Sequence, residues 1–304
     1  MKNLILLTLT LILFGFTGIA QVNLDNYSFN PEIKEASRLM SKGETNSYSI
    51  IIDGLSRKEV EKSWGKFMKN CDSKCKWDKN TKEFLADDAE IESISDNTID
   101  VYSQLIESNN RVEMIVWMDL GGGFLSTSVH GDRSKAGEEF IMKFAYDMEK
   151  KRVDNFQKKE EDKLEGMQKD MKNLKKDKIK LEDKIVDFQR KIEEANQDIT
   201  ENVNKQPRVE KEISTQKAYV GQVEGDDLRK KEEKKLKDLE GNLKGLKKDK
   251  KKQEKNIESY YKKIERSKQK IAENVKNQDL KQNEIKAQGD YIEKVKAIKT
   301  TLGN

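Results

Sequence analysis

Residues 164–199 read LEGMQKDMKNLKKDKIKLEDKIVDFQRKIEEANQDI. Leu164, Met171, Ile185, Ile192 and Ile199 share one seven-residue spacing, with Lys178 as its polar exception. Met167, Leu174, Leu181, Phe188 and Ala195 fill a second column three residues further on. Two such columns, conventionally a and d, form a narrow apolar seam that a helix buries only along a partner helix. A single polar core position such as Lys178 is a device for fixing register or partner.

The partner is written further along the chain. Leu236, Leu243, Ile257, Ile264, Ile271, Ile285 and Ile292 recur at the same spacing, with Lys250 and Gln278 as polar steps. Their companion column is poorer: Leu239, Leu246 and Tyr260 are apolar, whereas Gln253, Ser267, Asn274, Lys281 and Gln288 are not. So thin a seam suits a helix lying against the better first arm. Pro207, Gly221, Gly225 and Asp226-Asp227 predict an interruption between Gln206 and Asp227. The expected layout is therefore a first arm at 134–205, a tip at 206–226 and a second arm at 227–304. Each arm is about 110 Å long at 1.5 Å per residue. Folding back within one chain gives an antiparallel hairpin and returns the C-terminus toward the start of the arms; a parallel homodimer is the alternative.

Composition agrees. Of 304 residues, 38% are charged and 34% hydrophobic, too little apolar surface for one compact core of this length. Residues 21–133 carry 14 basic and 20 acidic side chains and all three Trp, whereas 134–304 carry 45 and 36 and none, so the chain divides near residue 133. At the N-terminus, Lys2, the apolar run Leu4–Phe16 and small residues at Gly18 and Ala20 predict a signal peptide over 1–20, cleaved before Gln21. No Cys follows Ala20, which predicts an exported protein, periplasmic or secreted, that is not a lipoprotein.

The segment 22–133 reads as a small α+β head. Tyr48–Ile52 is a β-branched run stopped by Asp53-Gly54, and Ser56 with Glu59 forms a capping box that opens a helix. Val60, Trp64, Phe67 and Cys71 follow as one apolar stripe, with Val60, Trp64 and Phe67 as its core. Strands are expected at 84–94, 98–106, 111–119 and 124–129, with turns at Asp96-Asn97, Asn109-Asn110 and Gly121–Gly123. Ser134 is the expected N-cap of the next helix, whose Phe140, Ile141, Phe144 and Met148 should pack on the sheet. This order (strand, helix, antiparallel strands, helix) resembles the TATA-binding-protein-like and related helix-on-sheet folds. The resemblance covers about 100 residues, in order of elements alone, and implies a fold and no activity.

Few residues suggest chemistry. Cys71 and Cys75, four apart in an exported chain, predict a disulfide, with free thiols as the alternative; two thiolates do not fill a tetrahedral metal site. Gly121–Gly123 lacks the Lys-Ser/Thr of a phosphate loop, His130 reads as a loop residue, and Asp87-Asp88 lack the spacing of a calcium loop. No metal, cofactor or catalytic residue is therefore expected. The basic run Lys247–Lys255 allows weak contact with anionic surfaces, and export speaks against nucleic acid. The expected function is an exported, non-enzymatic structural or interaction protein: a binding head on a coiled-coil stalk, a scaffold or regulator in the cell envelope, with an envelope or extracellular protein as partner. The alternative is a small-ligand or peptide-binding module with the hairpin as lid or dimerisation arm.

Overall fold

The computed structural model describes residue 24 and residues 27–302, and the expected signal peptide with its cleavage site lies outside them. The chain forms a six-stranded antiparallel sheet followed by two long helices. It divides into two units: one takes the residues up to Asp162 together with those from Gly289 onward, the other Lys163–Gln288.

In the first unit, β1 (Lys34–Met40), β2 (Gly43–Asp53), β3 (Cys75–Asp78), β4 (Glu83–Ala89), β5 (Ile99–Ser108) and β6 (Arg111–Asp119) stand in the order β1-β2-β6-β5-β4-β3. β6 has the expected bounds. Asn109 and Asn110, at φ 49 and 63, make the two-residue turn whose twist suits a hairpin. Two edge strands, β1 and β3, were not legible in the sequence, because KEASRLM and CKWD lack apolar alternation. The strand expected over 84–94 stops at Ala89, after a register shift between Ala86 and Ala89 with Asp88 at φ 52. Residues 124–129 are not a strand. Phe124 makes one bridge to Asp119, and Thr127–His130 then turn into a short helix, α2.

Helix α1 (Arg57–Lys69) begins at the predicted capping box, in which Ser56 and Glu59 satisfy each other's backbone N–H. Val60, Trp64 and Phe67 are buried. Trp64 stacks on Phe67 at 5.6 Å and meets Phe144 edge-on at 4.9 Å, so α1 and the first turns of α3 (Asp132–Gln222) share one aromatic core on the sheet. Ser134 does not cap that helix. It lies within the first turn, buried, its hydroxyl 2.6 Å from the Tyr48 hydroxyl. At Gly137 a Cβ would sit 2.5 Å from Leu125, so the helix packs there only because the side chain is absent. The last turns of α4 (Asp226–Thr301) return to this unit, where Val295, Ile298 and Leu302 pack with Val153, Leu24 and Tyr27. Lys299 pairs with Asp154 at 2.6 Å.

In the second unit, α3 and α4 run antiparallel. Gln216 donates to Glu232 at 2.9 Å, Gln253 to Asp198 at 2.9 Å, and the rings of Phe188 and Tyr260 stack at 6.0 Å. Every expected seam residue in this unit is buried or half-buried: Leu164, Met167, Met171, Leu174, Leu181, Ile185, Phe188, Ile192 and Ile199 on α3, and Leu236, Leu243, Ile257, Ile264, Ile271 and Ile285 on α4. Ile292, in the first unit, is buried too. The polar companions Gln253, Ser267, Asn274 and Lys281 are likewise withdrawn from solvent, so the companion column of α4 is largely polar.

Pro207 does not stop the helix. α3 passes through it to Gln222, and the same heptad continues as Gln206, Val209, Ile213, Gln216 and Val220. A missing N–H at one position costs about 3 kcal/mol, which burial of Val209 and Ile213 on the far side offsets. The expected interruption thus narrows to Val223–Gly225, with Gly225 at φ 95.

Candidate functional site

One face of the sheet is sealed by α1 and α3; strand alternation puts another set of side chains on the opposite face. The register lays that face out in rows. Ile51, Glu113 and Ile106 form one, Ser49, Ile115 and Gln104 the next, and Trp117, Tyr102 and Leu85 a third. The third row, with Ile115 of the second, is covered: Met40, Tyr102, Ile115 and Trp117 form a small buried cluster with Leu85 and Phe124 against it. The turn between β1 and β2 closes over this end. Ser41 donates its N–H and hydroxyl to the Glu83 carboxylate at 3.0 and 2.6 Å, and Lys42 reaches Asp119 at 3.2 Å with its amine 4.9 Å from the Tyr102 ring centre. Hydrogen bonding to Tyr102 and then to Asp119 raises the Lys42 pKa, fixing a positive charge there. The Trp117 indole N–H is buried beneath without a partner among the described residues.

The first row stays open. Ile51 is 48% and Ile106 44% exposed, on either side of Glu113, which Arg38 holds at 2.7 Å while also reaching the Ser49 hydroxyl. An apolar floor with one oriented ion pair suits recognition of a mixed polar and apolar surface. The sequence marks the alternation of β6 but not this row, since Ile51 and Ile106 lie 55 positions apart and only the β2-β6-β5 pairing joins them.

The residues weighed for chemistry are otherwise engaged. Cys71 and Cys75 are free thiols, and the expected disulfide is corrected accordingly. α1 ends at Lys69, Asp72 takes φ 51, and Cys75 already belongs to β3 opposite Ala86, so Cys71 sits in the turn after the helix while Cys75 is committed to a strand. Burial pushes the Cys71 thiol up and the Cys75 thiol up to about 12, which makes both poor nucleophiles. His130 accepts the Ser126 N–H at its Nδ1, 3.2 Å away, and serves its own loop. Gly121–Gly123 form a turn closed by Leu120 N–H to Gly123 O at 3.0 Å. Asp87 and Asp88 come together with Asp100, their carboxylate oxygens within 4.8 Å of one another. Asp88 N–H and Thr98 hydroxyl already engage Asp100 and Asp88, and the exposed cluster marks no ligand by itself.

Two polar clusters escaped the sequence reading. Glu35 on β1 accepts the N–H and hydroxyl of Thr127, whose hydroxyl lies 2.8 Å from that of Ser134. Burial alone would raise the Glu35 carboxyl, but the Thr127 bonds hold it below its ordinary value. Glu149, buried on α3, accepts from Tyr27 and from Arg152. Both clusters join elements distant in sequence, and their geometry is that of struts. Among the described residues, no helix is long and apolar enough to cross a membrane.

No family model and no curated protein matches the chain. Among solved structures it is similar to one described as the Smc head domain with a coiled coil and joint derived from Pyrococcus yayanosii. The identity is 13%, over 90% of this chain and 70% of that one, with a TM-score of 0.26. A superposition that loose carries no argument.

Proposed function

We propose that the chain is an exported, non-enzymatic interaction protein of the cell envelope, in which the open sheet face around Ile51, Glu113 and Ile106 recognises a protein partner. The helical pair of residues 163–288 serves as spacer and assembly arm. The observation that carries the reading is the exposed aliphatic pair flanking the Arg38–Glu113 ion pair on an otherwise ordered sheet. Aliphatic surface beside one oriented charge pair supplies binding energy together with specificity. The likeness of the head to TATA-binding-protein-like order belongs to this proposal as a statement about β2, α1, β3–β6 and α3, and brings no nucleic acid with it. The small-ligand alternative has no observation in its favour, because the space between sheet and α1 is filled by Trp64, Phe67, Phe140 and Phe144.

The test is capture from envelope extracts by the chain starting at Gln21, compared with an Ile51→Lys/Ile106→Lys variant. Both side chains are exposed, so the fold should survive. Loss of the captured protein with the variant supports the reading; undiminished capture refutes it. N-terminal sequencing of the native protein should give Gln21, and an intact Met1 would refute export.

A further inference from the structure

The two flanks of the helical pair differ. With Leu164 and Leu236 at a, Lys217 pairs with Glu240 at 2.9 Å and Lys247 with Glu210 at 3.1 Å, all four at e, so the e positions of both helices lie on one side of the seam. The b positions adjoin them, three and four residues away on the same helix. Midway along the pair this flank carries Ile179 and Val186 at b of α3, and Tyr261 and Val275 at e of α4, exposed by 56, 64, 58 and 38%. At the same level the opposite flank carries Lys180, Lys184 and Asp187 on α3 and Lys263, Arg266 and Lys270 on α4. A two-stranded coil calls for charged or polar residues at its flanks, as the second side has. Four large apolar side chains on the first side point to a further helix layer.

We propose that this flank binds a second copy of the chain, with α3 antiparallel to α3 across a two-fold axis passing between Glu182 and Asp183. Charge selects this occupant and this orientation. The axis sets Ile179 against Val186 of the second copy, and at the next b positions it sets Lys172 against Glu193 of the second copy. On α4 it brings Glu265 opposite Lys268 of the second copy. All four charged residues are exposed, and symmetry makes each attractive pair twice. In-register parallel pairing would oppose Lys172 to Lys172 and Glu193 to Glu193, which repel. Across the flank the apolar side chains and these charge pairs are thus self-complementary, as an isologous interface must be, while Glu182 meets its own copy at the axis.

Sedimentation equilibrium of the chain from Gln21 to Asn304, over a wide concentration range, tests the proposal. A reversible dimer is expected. Ile179→Lys/Val186→Lys should weaken it at least about tenfold, while Lys180→Ala/Lys184→Ala on the other flank should leave it unchanged. Lys172→Glu and Glu193→Lys should each weaken association roughly threefold to tenfold, and the two together should restore it. A monomer at every concentration overturns the proposal. So does a dimer indifferent to Ile179→Lys/Val186→Lys, and failure of the combined charge swap to rescue overturns the two-fold arrangement.

Discussion

The aromatic core of the head and the seam of the helical pair bury side chains by opposite rules. The rings of Trp64, Phe67, Phe140 and Phe144, from α1 and α3, meet at different angles with centres 4.9–6.1 Å apart, and every contact but Trp64–Phe67 crosses between helices with no common spacing. Along the seam each layer repeats the last and is one side chain thick, with polar steps mostly on α4. A core of the first kind has one solution and loses much when any piece is removed. A seam of the second kind spreads its stability over many small terms, and its polar steps set register more than they add strength.

The largest effect that would sharpen this contrast is Trp64→Ala, which should destabilise the head by about 3–5 kcal/mol. Denaturant unfolding followed by the fluorescence of the remaining tryptophans measures it, and a loss below about 1 kcal/mol would mean that the aromatic cluster is not the keystone. Ile264→Asp places a carboxylate in the seam opposite α3 and should cost about 2–4 kcal/mol, read in the helical circular dichroism while head fluorescence holds. Equal loss in both signals would break the division into two regimes. The Gln278 amide donates to Asn274 Oδ1 at 2.6 Å within the seam. Replacing both, Asn274→Leu with Gln278→Ile, should be neutral or stabilise the pair by about 1 kcal/mol, since removing both partners leaves no unpaired group. A marked fall in the thermal midpoint would show that the polar steps carry strength as well as register.

The smallest effect concerns the α1 cap. Bonds from the Ser56 backbone N–H and hydroxyl hold the Glu59 carboxyl below its usual range. A depressed carboxyl contributes stability that is present above its unfolded pKa, about 4.3, and is lost as pH falls through the folded value. Glu59→Gln should therefore cost about 0.5–1 kcal/mol at neutral pH and progressively less toward acid. A cost that does not change with pH would assign the cap to packing.

The helical pair was nearly all legible because a heptad is local: residues seven apart lie on one face whatever else the chain does. The reading failed at Pro207, where a rule about single residues met a seam that continues on both sides and holds the helix together. In the head the same kind of reasoning found β6 and the capping box of α1, and missed β1 and β3. Those edge strands are defined by pairing, and Lys34–Met40 carries no alternation that announces it. The open face was hidden for the same reason, as were the Glu35–Thr127 and Tyr27–Glu149 struts, whose partners are separated by 92 and 122 positions.

By itself, then, the sequence determined two helices with matching seams, a charge boundary near residue 133, a capped helix and a hairpin of alternating strands. Each of these follows from the geometry of neighbours a few residues apart. Only the tertiary structure decided that the tip is Val223–Gly225, that Cys71 and Cys75 stay apart as thiols, and that Ile51 and Ile106 meet across Glu113. It also decided that Val295, Ile298 and Leu302 close the first unit against Val153. These depend on burial and register between segments far apart along the chain, where the free energy of a contact depends on what else is already packed and no local spacing records it.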